Sequence, residues 1–432
     1  MFPPELIDTI VDKVEVMADL KSCCLAASVF RYASQSRLLA NLSLGFEHYT
    51  GTGKRYDEAV ARFEAAPHLA SLVVNLTIFV SKSSGTSEVI TATPTQLKSL
   101  FAALTRVGSC TMASFNHRWE DIPERLSVAV GHWISLVPSG TFHRFHIEGI
   151  NNVPQQLIHD IFKAIALHCS LSFTMTSTTS LACVKMPSYT PPPFHLRLCS
   201  RYADPHLLLT EPSFLRYAQC VSRLTVSAAH STEIETAFRI CDAATRRLEH
   251  IRLILSNGMR PPQNDVHIKT PPCLPSLRLL EVNWTRTDKQ LKFDHNFSWF
   301  LSEILAPILR PEVTPNLAQV NLEIVLYPAE LDRAFPVLIQ VKMFPSPIDL
   351  ALLRQLDDIL AGRDVLLCFV FSTNCVEGVA RDVGDLLEAL KDKLPNHARR
   401  NLLSVVAQSL CESSSALLTL NMLKKLQASR TE

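Results

Sequence analysis

One pattern returns along this chain at a nearly constant interval: apolar-x-x-apolar-x-apolar. It reads Leu248-Ile251-Leu253 in RLEHIRLIL, Leu277-Leu280-Val282 in PSLRLLEVN and Leu317-Val320-Leu322 in PNLAQVNLE. Reading outward adds Leu69-Leu72-Val74, Phe142-Phe145-Ile147 and Val221-Leu224-Val226. Weaker copies are Val107-Cys110-Met112, His168-Leu171-Phe173, Pro193-Leu196-Leu198 and Val365-Cys368-Val370. With 47% of residues hydrophobic, such a triplet arises by chance at about one position in ten, so single hits carry nothing. The interval carries the inference. From Phe142 the first positions fall at 142, 168, 193, 221, 248 and 277, in steps of 26, 25, 28, 27 and 29.

Two further regularities accompany the interval. The residue between the last two apolar positions is polar in eight of ten copies: Thr111, His146, Ser172, Arg197, Thr225, Arg252, Glu281 and Asn321. Such in-out-in alternation is what a half-buried strand requires. Helical patterns stand before many strands: EAVARFEAA, QQLIHDIFKAIA, SFLRYAQC, EIETAFRICDAA and FSWFLSEILAPIL. Each unit then reads as a helix plus a strand, and stacked neighbours bury a continuous core. An α/β solenoid over 49–372 follows. Insertions are expected where the steps lengthen, from 277 to 317 and on to 365.

Proline clusters at Pro191-Pro192-Pro193, Pro261-Pro262 and Pro271-Pro272 punctuate this body, and the small, polar SKSSGTSEVITATPT (81–95) reads as a loop. Beyond the last strand, GVARDVGDLLEALKDKL (378–394) and SALLTLNMLKKLQASR (415–430) carry helical stripes. Residues 373–432 are therefore expected to form a helical C-terminal cap.

Composition bounds the function. Lys plus Arg number 42 and Asp plus Glu 41, so no general attraction to nucleic acid or anionic membrane follows. The longest apolar runs, such as VLLCFVF at 365–371, are too short to cross a bilayer. Glu5, Asp8 and Asp12 interrupt the opening segment, which excludes a secretory signal. The 12 cysteines form no CxxC pair, and Cys110, Cys199, Cys220, Cys241 and Cys368 lie in apolar segments. They read as buried thiols of a reducing compartment, cytoplasmic or nuclear.

No catalytic, cofactor or metal constellation emerges. TGTGK (50–54) has His48 where a phosphate loop needs glycine and Arg55 where it needs Ser or Thr. His143 and His146 stand on opposite faces of a strand. HExxH, GxSxG and GxGxxG are all missing, and 12 glycines are sparse for phosphate cradles.

The first fifty residues have a different rhythm. Pro3 and Pro4 suit a first helical turn, with Glu5 at its positive end. Leu6, Ile10 and Val14 follow at four-residue spacing. Asp19 is the expected N-cap of a second helix from Leu20 to Ala27, and Ser34 the start of a third over Gln35 to Asn41. Their apolar face, with Leu20, Leu25, Phe30 and Leu38 added, calls for a partner.

The segment FPPELIDTIVDKV…DLKSCCLAASVFRYASQSRLLANLSL resembles an F-box motif of the divergent kind that opens many leucine-rich-repeat proteins. That motif runs LPxEL, spaced aliphatics, LxxCxLVxxxW, then a basic stretch ending in LF. Phe2 stands for its first leucine, while Pro3, Glu5, Leu6, Ile10, Val14, Leu20, Cys23 and Leu25 match directly. Phe30 takes the tryptophan slot, and Leu38-Leu39 the terminal pair. The body is likewise similar to the irregular leucine-rich-repeat region that follows such a motif. It departs by holding Ile150, Ala229, Ser256, Thr285 and Val325 where an asparagine is usual.

The resemblance implies a three-helix module over 1–48 that docks the Skp-type adaptor of a cullin–RING ubiquitin ligase. Phe2, Pro3, Leu6, Ile10, Val14, Leu20, Leu25, Phe30 and Leu38 would make the contact. The repeat body would then present His146, Arg197, Arg252, Glu281 and Asn321 to a client protein, with no chemistry in this chain. The alternative is a stand-alone repeat scaffold whose leading helices only cover the first repeat.

Overall fold

A computed structural model of the chain describes residues 3–45, 55–80, 90–174, 189–199, 214–260, 273–285, 299–326, 347–373, 390–392 and 394–409. Phe2, TGTGK, the proline pairs at 261–262 and 271–272 and the segment 415–430 lie outside these residues, as does most of 378–394. The chain divides into two compact units, Met1–Leu224 and Thr225–Glu432. Each is α/β with an open parallel sheet.

The first unit opens with α1 (Pro4–Asp12), α2 (Met17–Ala26) and α3 (Ser28–Leu39). Pro4 begins α1 and Glu5 lies in its first turn, where the helix dipole favours an acid. Ile7, Val11, Leu20 and Ala33 form the module's core, with Val14, Phe30 and Leu38 packed against it. The Arg37 guanidinium donates to the carbonyl oxygens of Val11 and Val14, tying α3 to the end of α1 and the turn after it. Two boundaries differ from expectation. Helix α2 starts at Met17 after an extended Val16, leaving Asp19 inside its first turn. Helix α3 starts at Ser28, because only the extended Ala27 interrupts the helical backbone. Ser34 is thus buried mid-helix, and its hydroxyl has no hydrogen-bond partner.

Seven strands follow: β1 (Asn41–Leu44), β2 (Asn75–Phe79), β3 (Ser109–Arg118), β4 (Phe142–Asn151), β5 (Ile165–Thr174), β6 (Phe194–Cys199) and β7 (Val221–His230), the last crossing the unit boundary. Their sheet order is their chain order. One buried row runs Leu42, Leu76, Cys110, Phe145, Leu171, Leu196, and a second Leu44, Ile78, Met112, Ile147, Phe173, Leu198. These are the last two triplet positions of each copy from Val107 to Leu198. The copy at Leu69 is out of phase. Pro67 opens a 3-10 turn through Leu72, so the strand starts later and its triplet is Val73-Leu76-Ile78. Strand β1 begins at Asn41, the residue expected to end the third helix.

Helices connect the strands: α4 (Tyr56–Ala65), α5 (Pro94–Ala103), α6 (Glu124–Leu136), α7 (Gln155–Ala164) and α8 (Leu215–Ala218). Helix α5 starts at the end of the stretch read as a loop, through a capping box between Thr93 and Gln96. Phe101, Trp133, Phe142 and Phe145 join α5, α6 and β4 in a chain of ring contacts with centroids 5.6, 5.9 and 4.9 Å apart.

The second unit holds α9 (Ser231–Ala243), β8 (His250–Arg260), β9 (Leu279–Thr285), a π-helical turn (Leu301–Leu305) leading into α10 (Ala306–Leu309), β10 (Gln319–Leu326), α11 (Pro347–Leu360), β11 (Leu366–Thr373), α12 (Pro395–Arg399) and β12 (Leu403–Ser409). Strands β8 to β12 again pair in chain order, all parallel. Ile251, Leu280, Val320 and Leu367 share one row, and Leu253, Val282, Leu322 and Phe369 the next. The triplet at Val365 is therefore one residue out of phase, because Cys368 pairs with Asn321 rather than with Val320. Both sides of β11 are buried, so VLLCFVF has no alternation from which its phase could be read. Strand β12 extends the pairing into the stretch expected to be all helix. Asp357 holds α12 in place, accepting from the backbone N–H of Asn396 at 2.9 Å and of His397 at 3.1 Å.

Candidate functional site

Two surfaces have the makings of a site, and the first is the opposite side of the three leading helices. Because Ile7 and Val11 fill the module core, α1 turns Leu6 (43% exposed) and Ile10 (42%) outward. Leu25 is 85% exposed, with Val16, Met17, Val29 and Tyr32 also open to solvent. The residues expected to make one apolar face thus divide. Pro3, Leu6, Ile10 and Leu25 are exposed, whereas Leu20 is buried and Val14, Phe30 and Leu38 are half-buried against it. Val16, Met17, Val29 and Tyr32 escaped the sequence reading. Their signal was the second helical stripe, visible only once the helix boundaries are set.

The second surface is the sheet face opposite the core. In the second unit this face is closed by its own hydrogen bonds. His250 lies 2.9 Å from a Glu281 carboxylate oxygen, and Arg252 donates to Glu323 at 2.9 Å. Asn283 donates to Glu323 at 2.8 Å, Asn321 to Glu281 at 3.2 Å, and Gln319 to Asn321 at 2.7 Å. Glu281 is only 6% exposed and Asn321 9%. Arg252, Glu281 and Asn321 are therefore brought together, but as members of a buried network rather than as open strand residues.

Burial pushes the Glu281 carboxyl up, yet His250, the Arg252 charge and the Asn321 amide together outweigh it and hold it below the ordinary glutamate value. A carboxyl with a depressed folded value stabilises above its unfolded pKa and loses that contribution as pH falls toward the folded one. Glu281→Gln should cost about 2–3 kcal/mol at neutral pH, since it removes the buried negative charge that faces His250 and, at 3.8 Å, the Arg252 guanidinium. Denaturant titration at neutral pH and at pH 4 tests this. The gap between wild type and variant should narrow at the lower pH, and an unchanged gap would refute the role of the charge.

In the first unit the same face is partly open, with Ser172 buried beneath its neighbours. Row by row, Ser109, Arg144, Ser170 and His195 align, then Thr111, His146, Ser172 and Arg197. Arg144 and Arg197 are exposed, and His146 is half-buried with its Nε2 3.3 Å from Glu148. Burial lowers the His146 pKa, opposed by Glu148 and reinforced by the charges of Arg197 and Arg144. Arg144 was missed from sequence because it precedes the triplet's polar slot by two residues, although that spacing keeps it on the same face.

A groove of about 420 Å³ also lies between α5 and α6, lined by Leu104, Val107, Trp133 and Leu136 with Lys98 and His132 at its sides. Among the described residues no group of His, Cys, Asp and Glu could hold a metal ion, and no helix is long and apolar enough to cross a membrane. Cys110, Cys220, Cys241 and Cys368 are buried and in no disulfide, and burial carries the Cys368 pKa to about 11. Compared with known proteins, the chain matches no family model and no curated protein.

Proposed function

We propose that this chain is a non-enzymatic recruiter that docks the Skp-type adaptor of a cullin–RING ubiquitin ligase through its leading helices and a client protein through its sheet face. On this reading the sequential helix–strand units are a degenerate leucine-rich-repeat solenoid, working in the cytoplasm or nucleus. One observation carries it: α1–α3 complete a small core of their own and still expose Leu6, Ile10, Val16, Met17, Leu25, Val29 and Tyr32. Seven exposed apolar side chains on so small a module suit a surface that a partner covers. Large apolar anchors of this kind dominate interface energy.

Affinity purification of the full chain with the adaptor tests it. Wild type should recover the adaptor well above background. Ile10→Asp, which alters an exposed position and spares the module core, should reduce recovery about tenfold or more. Equal recovery by both rules out docking on this surface. The Phe30 side chain, in the slot of the usual tryptophan, packs into the module's own core. That observation favours the stand-alone scaffold as the second reading, for which wild-type recovery would stay at background.

A further inference from the structure

The registers of β4, β5 and β6 place long basic side chains on either side of a strip of small hydroxyls. Strand β5 contributes Ser170, Ser172 and Thr174 to the face opposite the core. On one side β4 contributes Arg144 and His146, and on the other β6 contributes His195 and Arg197. Neighbouring strands lie roughly 4.8 Å apart, so β4 and β6 are separated by about 10 Å across this strip. Arginine side chains span that distance from both walls, while the small side chains between them, with Ser172 buried and Ser170 half-buried, keep the floor low.

We propose that this trough binds an acidic segment of a partner polypeptide laid over β5. Arg144 and Arg197 are exposed, and among the described residues neither has a hydrogen-bond or ion-pair partner. The only acid on the three strands is Glu148, which is engaged by His146. Among the described residues the walls therefore carry a positive charge in excess, which carboxylates would neutralise through charge-assisted bonds. A nucleic acid fits less well, because no Phe, Tyr or Trp side chain stands on the trough face of these strands for bases to stack on. The inference rests on reading the sheet face as the client surface, and names the chemistry of the client.

Fluorescence anisotropy of the full chain with a labelled peptide alternating Glu and Gly tests it. The matched Gln–Gly peptide and inorganic phosphate serve as controls. The Glu peptide should bind saturably and weaken steeply with salt, and the Gln peptide should not bind. Arg144→Glu with Arg197→Glu should weaken binding at least about tenfold, and the neutral Arg144→Gln with Arg197→Gln pair by less. Both pairs alter exposed positions, and an unchanged melting temperature reports an intact fold. Equal binding of the Gln peptide, indifference to both pairs, no binding by wild type, or full competition by millimolar phosphate each overturns the proposal. Adaptor recovery measured on the same preparations separates the two readings. Peptide binding lost with adaptor recovery intact sinks only the trough, and the reverse sinks only the docking helices.

Discussion

Leu280→Asp is expected to destabilise the second unit by at least about 4 kcal/mol, the largest effect of any substitution considered for this chain. Leu280 is fully buried, in register between Ile251 and Val320, so a carboxylate there meets apolar neighbours on both adjacent strands. Either the charge remains and is left unsolvated, or it is neutralised by a proton at a cost set by the pH. For a unit of roughly 200 residues such a loss lowers the melting temperature by about 8–16 °C. Calorimetry of wild type and variant checks this. A shift under about 2 °C would mean that the phase of β9 is wrong.

Gly149→Ala should be nearly as damaging to the first unit, for a different reason. Gly149 has φ +64°, and a Cβ there would collide with the Ser114 carbonyl oxygen and lie 3.2 Å from the Asn116 nitrogen. Both contacts are backbone, so no side chain can swing aside. Strand β3 bulges here, with its register to β4 shifting between Ala113 and His117 and Asn116 itself at φ 62°. The cost should reach about 3 kcal/mol, the sum of a positive-φ penalty and an unrelieved clash. Gly140→Ala provides the comparison. Its φ is +84° but nothing lies within 4 Å of the added carbon, so only the backbone penalty of about 1 kcal/mol applies. Equal urea midpoints for the two variants would remove the bulge from the account.

Much of this architecture was legible because a strand buried on one side advertises itself. Leu171, Leu196, Leu280 and Val320 all sit in the rows that their triplets imply. The failures occurred where that signal has no contrast. At Leu69-Leu72-Val74 two phases are equally aliphatic, and only the turn opened by Pro67 chooses between them. In VLLCFVF both faces are apolar, so Cys368 looked like a core position and proved to be the neighbour of Asn321. Helix α5 announced itself through Thr93-Pro94-Thr95-Gln96, a capping box obscured by the small polar residues before it.

The candidate surfaces were legible to a lesser degree, because exposure depends on neighbours that lie elsewhere in the sequence. Glu281 and Asn321 occupy the alternate strand positions that polarity assigned to them, yet His250, Arg252 and each other's side chains enclose them. Arg197, flanked across the sheet by Ser172, stays open. On the leading helices, four-residue spacing gathered Leu6, Ile10 and Val14 into one stripe. In the folded module Val14 turns inward with Ile7 and Val11 while Leu6 and Ile10 point out.

Strands that pair in the order in which they are synthesised have a consequence for how each unit comes to exist. No strand must wait for a distant segment before it finds a neighbour, so the entropy of closing each connection is modest and collapse can begin at any adjacent pair. Emergence from the ribosome should therefore be matched, strand for strand, by growth of the sheet. A cut in one connecting segment should leave the fragments on either side each holding a partly built sheet rather than a scrambled one.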